Sequence, residues 1–318
     1  MTRLTYIDKL RGLAILLVVM GHICEKSLGI GGTFFNALYS SIHLPLFLFI
    51  SGYLSNNLGA KAKAEGCAKY ILGKAKHLLL PVLTIGTLFV VVNGFDMTYY
   101  DAYWFLPSLF YCICIHLVSE ILGKNRERSV LILMILGWGI LCVLYKCQLI
   151  SFVPMILHFL VNFPFYVFGW FFRKEEEILT KNLVYTMCIF ASFAIFFINQ
   201  QLLYRFKVAG FFICIVLYIL FKKNDDRLPS FLTVFGKNSL EIYTLHWFLL
   251  PNLLLNEDCL FRQNKQVVNS DNLLLLIIIT GVIGYVICKA SIVLSTIINE
   301  SRFLSLVCWG KKGVKYDC

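Results

Sequence analysis

The stretch Tyr6-Ile-Asp-Lys-Leu-Arg-Gly-Leu-Ala-Ile-Leu-Leu-Val-Val-Met-Gly-His22 sets Asp8, Arg11 and His22, together with Lys9, into a run that is otherwise largely apolar. At about 100° per residue, the eleven steps from Arg11 to His22 end about 20° from alignment, and the fourteen from Asp8 about 40° off in the other sense. One helical face carries all three. The helical rise puts His22 about 16 Å deeper than Arg11. If this segment crosses a bilayer with Arg11 at the inner boundary, a buried imidazole stands above a basic entrance. Ionisable groups inside a span are costly and usually line a cavity or a bundle interior.

Working outward, the whole chain fits a lipid solvent. It has 318 residues, 59% of them hydrophobic and 15% charged, with a mean hydropathy of +0.76. A soluble domain of that size could not hide so much apolar surface. At roughly 20 apolar residues per span, apolar runs predict ten helices: 10–28, 34–54, 78–95, 104–122, 130–144, 150–172, 183–198, 208–221, 235–255 and 273–298. Backbone groups in lipid need internal partners and no alternating strand pattern occurs, so the spans are expected to be helical. The expected fold is all-α and polytopic, a single integral membrane domain over 1–318.

The basic residues orient it. With the N-terminus inside, 22 of the 29 Lys and Arg fall in inner segments, 6 in outer ones, and Lys289 lies within the last span. That asymmetry obeys the positive-inside rule and places both termini in the cytoplasm. It also accounts for the net charge of +11 without a nucleic-acid partner. Segment 60–77, with five Lys, is expected to lie along the inner membrane surface as a headgroup anchor or as a basic mouth for a polyanionic cofactor. The twelve Cys are scattered through apolar stretches and read as reduced small hydrophobes, with no metal site.

Counting rise from the inner boundary brings His43, His158 and His246 to within a few Å of the height of His22. His158, between Pro154 and Pro164, reads as an interhelical hydrogen-bonding residue, and His116 as a lower structural one. Glu241 falls level with Arg11, as its expected ion partner. Tyr243 and His246, three residues apart, share a face.

Four strings carry a resemblance. Tyr6-Ile-Asp-Lys-Leu-Arg-Gly-Leu-Ala with Gly21-His22 contains an Arg-x10-His pattern. His43-Leu-Pro-Leu-Phe-Leu-Phe-Ile-Ser-Gly-Tyr-Leu54, Tyr103-Trp-Phe-Leu-Pro107 and Asn238-Ser-Leu-Glu-Ile-Tyr-Thr-Leu-His246 follow in order. Together they resemble the membrane acyltransferase 3 family, across helices one to nine. Many members carry Arg before a Leu-x-Pro at the third span; here Lys74, Lys76 and His77 precede Pro81, and Lys lacks the bidentate fork of Arg.

The resemblance implies acyl transfer from cytoplasmic acetyl-CoA to a hydroxyl of a surface polysaccharide or lipid-linked sugar, in the bacterial cytoplasmic membrane, with His22 catalytic and Arg11 its companion. The chemistry of the residues agrees, because transfer to a hydroxyl needs a base and a neutral imidazole supplies one. His22 is expected as general base or acyl relay, Arg11 as a phosphate holder, and Asp8 as the residue orienting that face. Expected substrate contacts are His43, Ser51, Gly52, Tyr53, Lys74, Lys76, Trp104, Glu241, Tyr243 and His246, with Gly52 allowing close approach of the thioester. Polysaccharide assembly proteins are expected partners. Two other readings are a glycan or lipid transporter using these polar residues as substrate or proton sites, and a non-catalytic assembly subunit that tolerates loss of Arg11 and His22.

Overall fold

The computed structural model describes residues 4–28, 34–124, 126–198, 208–251 and 270–310, and among them there is no strand. Helix α1 (Thr5–His22) runs into a π turn at Ile23–Ser27. Then come α2 (Phe34–Leu54), α3 (Leu58–Glu65), α4 (Cys67–Pro81), a π turn at Val82–Gly86 and α5 (Thr87–Val92). After a 3-10 turn at Met97–Tyr103 follow α6 (Phe105–Leu122), α7 (Glu127–Lys146), α8 (Ile156–Lys174) and the single turn α9 (Glu176–Leu179). The remainder comprises α10 (Asn182–Ile198), α11 (Val208–Lys223), α12 (Ser230–Lys237), α13 (Ser239–Leu245), α14 (Ser270–Glu300) and α15 (Arg302–Trp309).

Five helical stretches among the described residues are long and apolar enough to cross a bilayer: Cys67–Val92, Phe105–Leu122, Glu127–Lys146, Ile156–Lys174 and Leu274–Glu300. Ile42–Leu54 is a shorter apolar stretch. On α7, Ile132, Leu136, Ile140 and Val143 are exposed. Their spacing of four, four and three draws one apolar stripe, the pattern of a helix whose outer face meets lipid.

Three sequence expectations are corrected. The third helix begins at Cys67, not at residue 78, so segment 60–77 is no single surface strip. It divides at Gly66, whose φ of +87° turns the chain between α3 and α4. Lys69, Lys74 and Lys76 ride the first turns of the long helix, where their flexible stems carry the charge outward. The ninth helix is not continuous over 235–255. It breaks at Asn238, whose side-chain amide donates to the Val234 carbonyl at 2.8 Å, and ends in a 3-10 turn at His246–Leu249 before Pro251. Local side-chain bonding and the approaching proline outweigh the apolar run. Residues 252–255 of that run lie outside the described residues. Helix α15, closed by Gly310 at φ +64°, was not foreseen.

The chain divides into two compact units, one made of 1–47 with 175–295, the other of 48–174 with 296–318. In the first, α1 packs on α11, α12 and α13. At its crossing with α12 the backbones touch: a methyl on Gly12 would stand 1.9 Å from the Leu232 carbonyl oxygen, and one on Gly236 1.8 Å from that of Asp8. Small residues permit such an approach between apolar helices. The foot of α1 is tied down by Lys9, whose ammonium lies 2.9 Å from the Asp225 carboxylate, and by Thr5, which donates to the same carboxylate.

In the second unit, α6 packs against α3, α4, α7 and α8. The C-terminal part of α2 meets α8 through another reciprocal glycine pair, Gly52 against the Tyr166 carbonyl and Gly169 against that of Phe49, each 1.9 Å from an added methyl.

Candidate functional site

His22 is the last residue of α1 before the helix widens into its π turn, closed by Leu28 N–H donating to the Ile23 carbonyl at 2.9 Å. Single π turns inside helices are frequent at functional sites. No proline or glycine within Ile23–Ser27 announces this one. The His22 ring lies 5.4 Å from that of His246, stacked at 23°, and 4.3 Å from that of Trp247, tilted at 45°. His246 and Trp247 lie 5.0 Å apart, and Tyr243 is 6.0 Å from His246.

His246 is fully buried where α13 passes into its 3-10 turn. Its Nδ1 lies 3.0 Å from the Ile242 carbonyl, which can only accept, so Nδ1 carries the proton and Nε2 the lone pair. That Nε2 and the Nδ1 of His22 are both buried without a hydrogen-bond partner among the described residues. Burying an unpaired polar atom costs about 1–3 kcal/mol.

His43 stands beside this group. A methyl on Gly21, the residue before His22, would lie 3.8 Å from His43 Cε1 and 3.7 Å from Tyr39 Cβ. The Nδ1–H of His43 donates to the Tyr39 carbonyl, and the Tyr39 hydroxyl lies 3.5 Å from that of Thr280 on α14. Thus His22, His43 and His246 are brought together, with Tyr243 beside His246, whereas His158, expected at the same height, stacks on Trp104 in the second unit. Asp8 and Glu241 are buried, and Arg11 is half-buried. Arg11 stands on α1 and Glu241 on α13, two helices in contact.

The remaining expected contacts lie in the second unit. Tyr53 is buried and accepts a hydrogen bond from Arg173, whose guanidinium carbon sits 4.7 Å above the Tyr53 ring. The Ser51 carbonyl accepts from Ser55 at 2.6 Å. The space beside Gly52 Cα, expected to admit a thioester, is filled by the Tyr166 carbonyl, and this glycine serves helix packing. Lys74 stands over the Tyr70 ring at 5.4 Å, and Lys76 is exposed. Trp104 stacks on His158 at 4.3 Å and 22°. His116 is fully buried, with Nδ1 3.0 Å from the Tyr166 hydroxyl and Nε2 3.2 Å from Glu120.

A cluster of imidazoles at the C-terminal end of a largely apolar helix suits proton transfer, and comparison with known proteins names the chemistry. The sequence profile of the acyltransferase domain family matches residues 4–289, a stretch that crosses both units and includes every candidate site residue. The chain belongs to the acyltransferase 3 family. Nodulation protein NolL of Mesorhizobium japonicum is 28% identical over 189 residues, 52% of this chain and 47% of that protein. The match therefore spans about half of this relative. No solved structure matches.

Sequence reasoning missed Trp247, which closes on His22, and the Gly12–Gly236 contact that holds α1 against α12. Gly12 sits inside the opening motif and Trp247 directly after the last one, so each lay at the edge of a recognised string. It also missed Arg173 and Glu120, whose partners lie 120 and 61 residues away in sequence.

Proposed function

We propose that the chain is an O-acyltransferase of the bacterial cytoplasmic membrane, moving an acetyl group from cytoplasmic acetyl-CoA to a hydroxyl of a surface polysaccharide or lipid-linked sugar. The observation that carries this reading is the buried imidazole cluster around His22 in a chain of the acyltransferase 3 family. His22 acts as general base. It takes the proton of the acceptor hydroxyl, the oxygen attacks the thioester carbonyl, the C–S bond breaks, and the departing thiolate recovers the proton from His22. One imidazole thereby serves both half-reactions.

Arg11 holds a phosphate of the CoA from the inner boundary, Asp8 and Glu241 orient it, and Lys74 and Lys76 draw the polyanion in. Tyr53 and Ser51 line the donor's approach. His43, Tyr243 and Trp104 contact the acceptor, delivered by polysaccharide assembly proteins. Ten spans with both termini in the cytoplasm fit the distribution of Lys and Arg, and put these basic residues on the side where CoA is found.

The test is His22→Ala, assayed in membranes with radiolabelled acetyl-CoA and by the mass of the cell's glycans. Transfer should fall roughly 10²- to 10⁴-fold with the amount of inserted protein unchanged. Retained transfer overturns the assignment of His22. Glycan flux with no release of CoA thiol overturns the enzyme.

A further inference from the structure

The imidazole cluster contains two unpaired nitrogens that complement each other. A base that presents Nε2 to a hydroxyl must carry its own proton on Nδ1, and for His22 that Nδ1 is buried without an acceptor among the described residues. The neighbouring His246 has the opposite deficit. Its Nδ1–H is committed to the Ile242 carbonyl at 3.0 Å, leaving a buried Nε2 lone pair without a donor. The two rings lie 5.4 Å apart. A rotation of His22 about its Cβ–Cγ bond or one bridging water spans such a gap, and a buried water needs the kind of polar partners these atoms offer.

Resting on the reading of His22 as base, we propose that His246 is its positioning residue: the Nε2 of His246 accepts the Nδ1–H of His22, directly or through one water, and so fixes the reactive tautomer. The relay runs from the Ile242 carbonyl through His246 to His22 and ends at the acceptor hydroxyl. When His22 takes the hydroxyl proton, its imidazolium keeps the Nδ1–H bond to the His246 lone pair, and the proton leaves again with the thiolate. His246 neither gains nor loses a proton. Its place is that of the carboxylate in an acid–base triad, filled here by a neutral acceptor that lipid tolerates better than a charge. Trp247, 4.3 Å from His22 and 5.0 Å from His246, packs against both rings and limits their motion.

Two substitutions of His246 and one spectrum test this. Glutamine can set an amide oxygen near the position of Nε2 but cannot accept a proton at physiological pH; leucine offers no acceptor. With radiolabelled acetyl-CoA and membranes holding the native acceptor, His246→Leu should lower kcat at least tenfold with KM for acetyl-CoA nearly unchanged, and His246→Gln should restore most of kcat. In nitrogen-labelled protein, His22 Nδ1 should resonate as a protonated nitrogen in the wild type and in the Gln variant, and as a tautomer mixture in the Leu variant. Membrane levels of each variant are measured alongside. If the Leu variant fails to insert, the Gln variant and the wild-type spectrum decide. A Leu variant with wild-type kcat overturns the proposal, as does a His22 Nδ1 that is unprotonated in the wild type. An inserted Gln variant without activity also overturns it, because His246 would then be the proton carrier. In each case an inactive His22→Ala leaves the function standing, whereas an active one removes it.

Discussion

Two histidines, one in each unit, have been put to opposite uses. His116 on α6 has Nδ1 3.0 Å from the Tyr166 hydroxyl and Nε2 at ion-pairing distance, 3.2 Å, from the Glu120 carboxylate, outside hydrogen-bond geometry, and Glu120 also accepts the Gly59 N–H at the start of α3. Both ring nitrogens of His116 thus face polar atoms of the scaffold. His22 on α1 keeps part of its surface accessible, has the rings of His246 and Trp247 beside its own, and leaves Nδ1 unpaired among the described residues. A satisfied polar cluster pins helices together, whereas an unsatisfied one holds its groups ready for a partner that is not protein. The presence of a histidine does not separate the two cases; the carboxylate that faces the second nitrogen of His116, and not that of His22, does.

The largest effect that could break this contrast comes from exchanging alanine at both sites. His22→Ala should abolish transfer while leaving membrane levels intact, and His116→Ala should do the reverse. The latter strands Glu120 and Tyr166 at about 1–3 kcal/mol, read as a lower melting temperature in detergent with turnover per folded molecule retained. If His116→Ala abolished turnover in fully folded protein, the two sites would not differ as described.

Next comes the crossing that carries the His22 helix. Gly12→Ala drives a methyl to 1.9 Å from a backbone oxygen, and should destabilise by about 1–3 kcal/mol or more and reduce transfer as α1 is pushed off α12. Gly281→Ala is the matched control, because its methyl would meet only Met20 Cε at 3.8 Å. A smaller loss, about 1 kcal/mol, is expected from Glu120→Gln, with turnover untouched.

The smallest effect is an acid one at the foot of α1. Burial pushes the Asp225 carboxyl up, but hydrogen bonds from Lys9 and Thr5 and the charge of Lys9 outweigh that and hold it below the usual carboxylate range. A carboxyl depressed in the folded protein adds stability above its unfolded value, about 3.9, and loses that contribution as pH falls through the folded value. Asp225→Asn should therefore lower the melting temperature slightly at neutral pH and flatten its fall on acidification. An unchanged acid limb would show that the Lys9 contact is solvent-screened into insignificance.

Much of the helical content was legible, because apolar runs of sufficient length must be helices wherever lipid is the solvent, and α2 and α6 match their runs almost residue for residue. The opening motif identified α1 and its polar face, and equal depth grouped His22 with His43 and His246 but also with His158, which stacks instead on Trp104. The third and ninth helices were misjudged for different reasons. At Cys67–Val92, lysines rode a helix that the charge pattern alone would end. At Phe235, an apolar run concealed the break at Asn238, where a side-chain amide bonds to its own helix.

By itself, then, the sequence determined the solvent, the helical class, the family and the spacing that places Asp8, Arg11 and His22 on one face, since all of these depend on composition or on separations within a turn or a few. Tertiary structure alone decided which histidine faces a carboxylate and which faces other aromatic rings. It set Gly52 to packing rather than to substrate, joined Gly12 to Gly236 across more than two hundred residues, and turned His246 and Trp247 onto His22. A hydrogen-bond partner or a backbone contact contributed by a distant helix leaves no periodicity in the chain, and the reactivity of His22 rests on such partners.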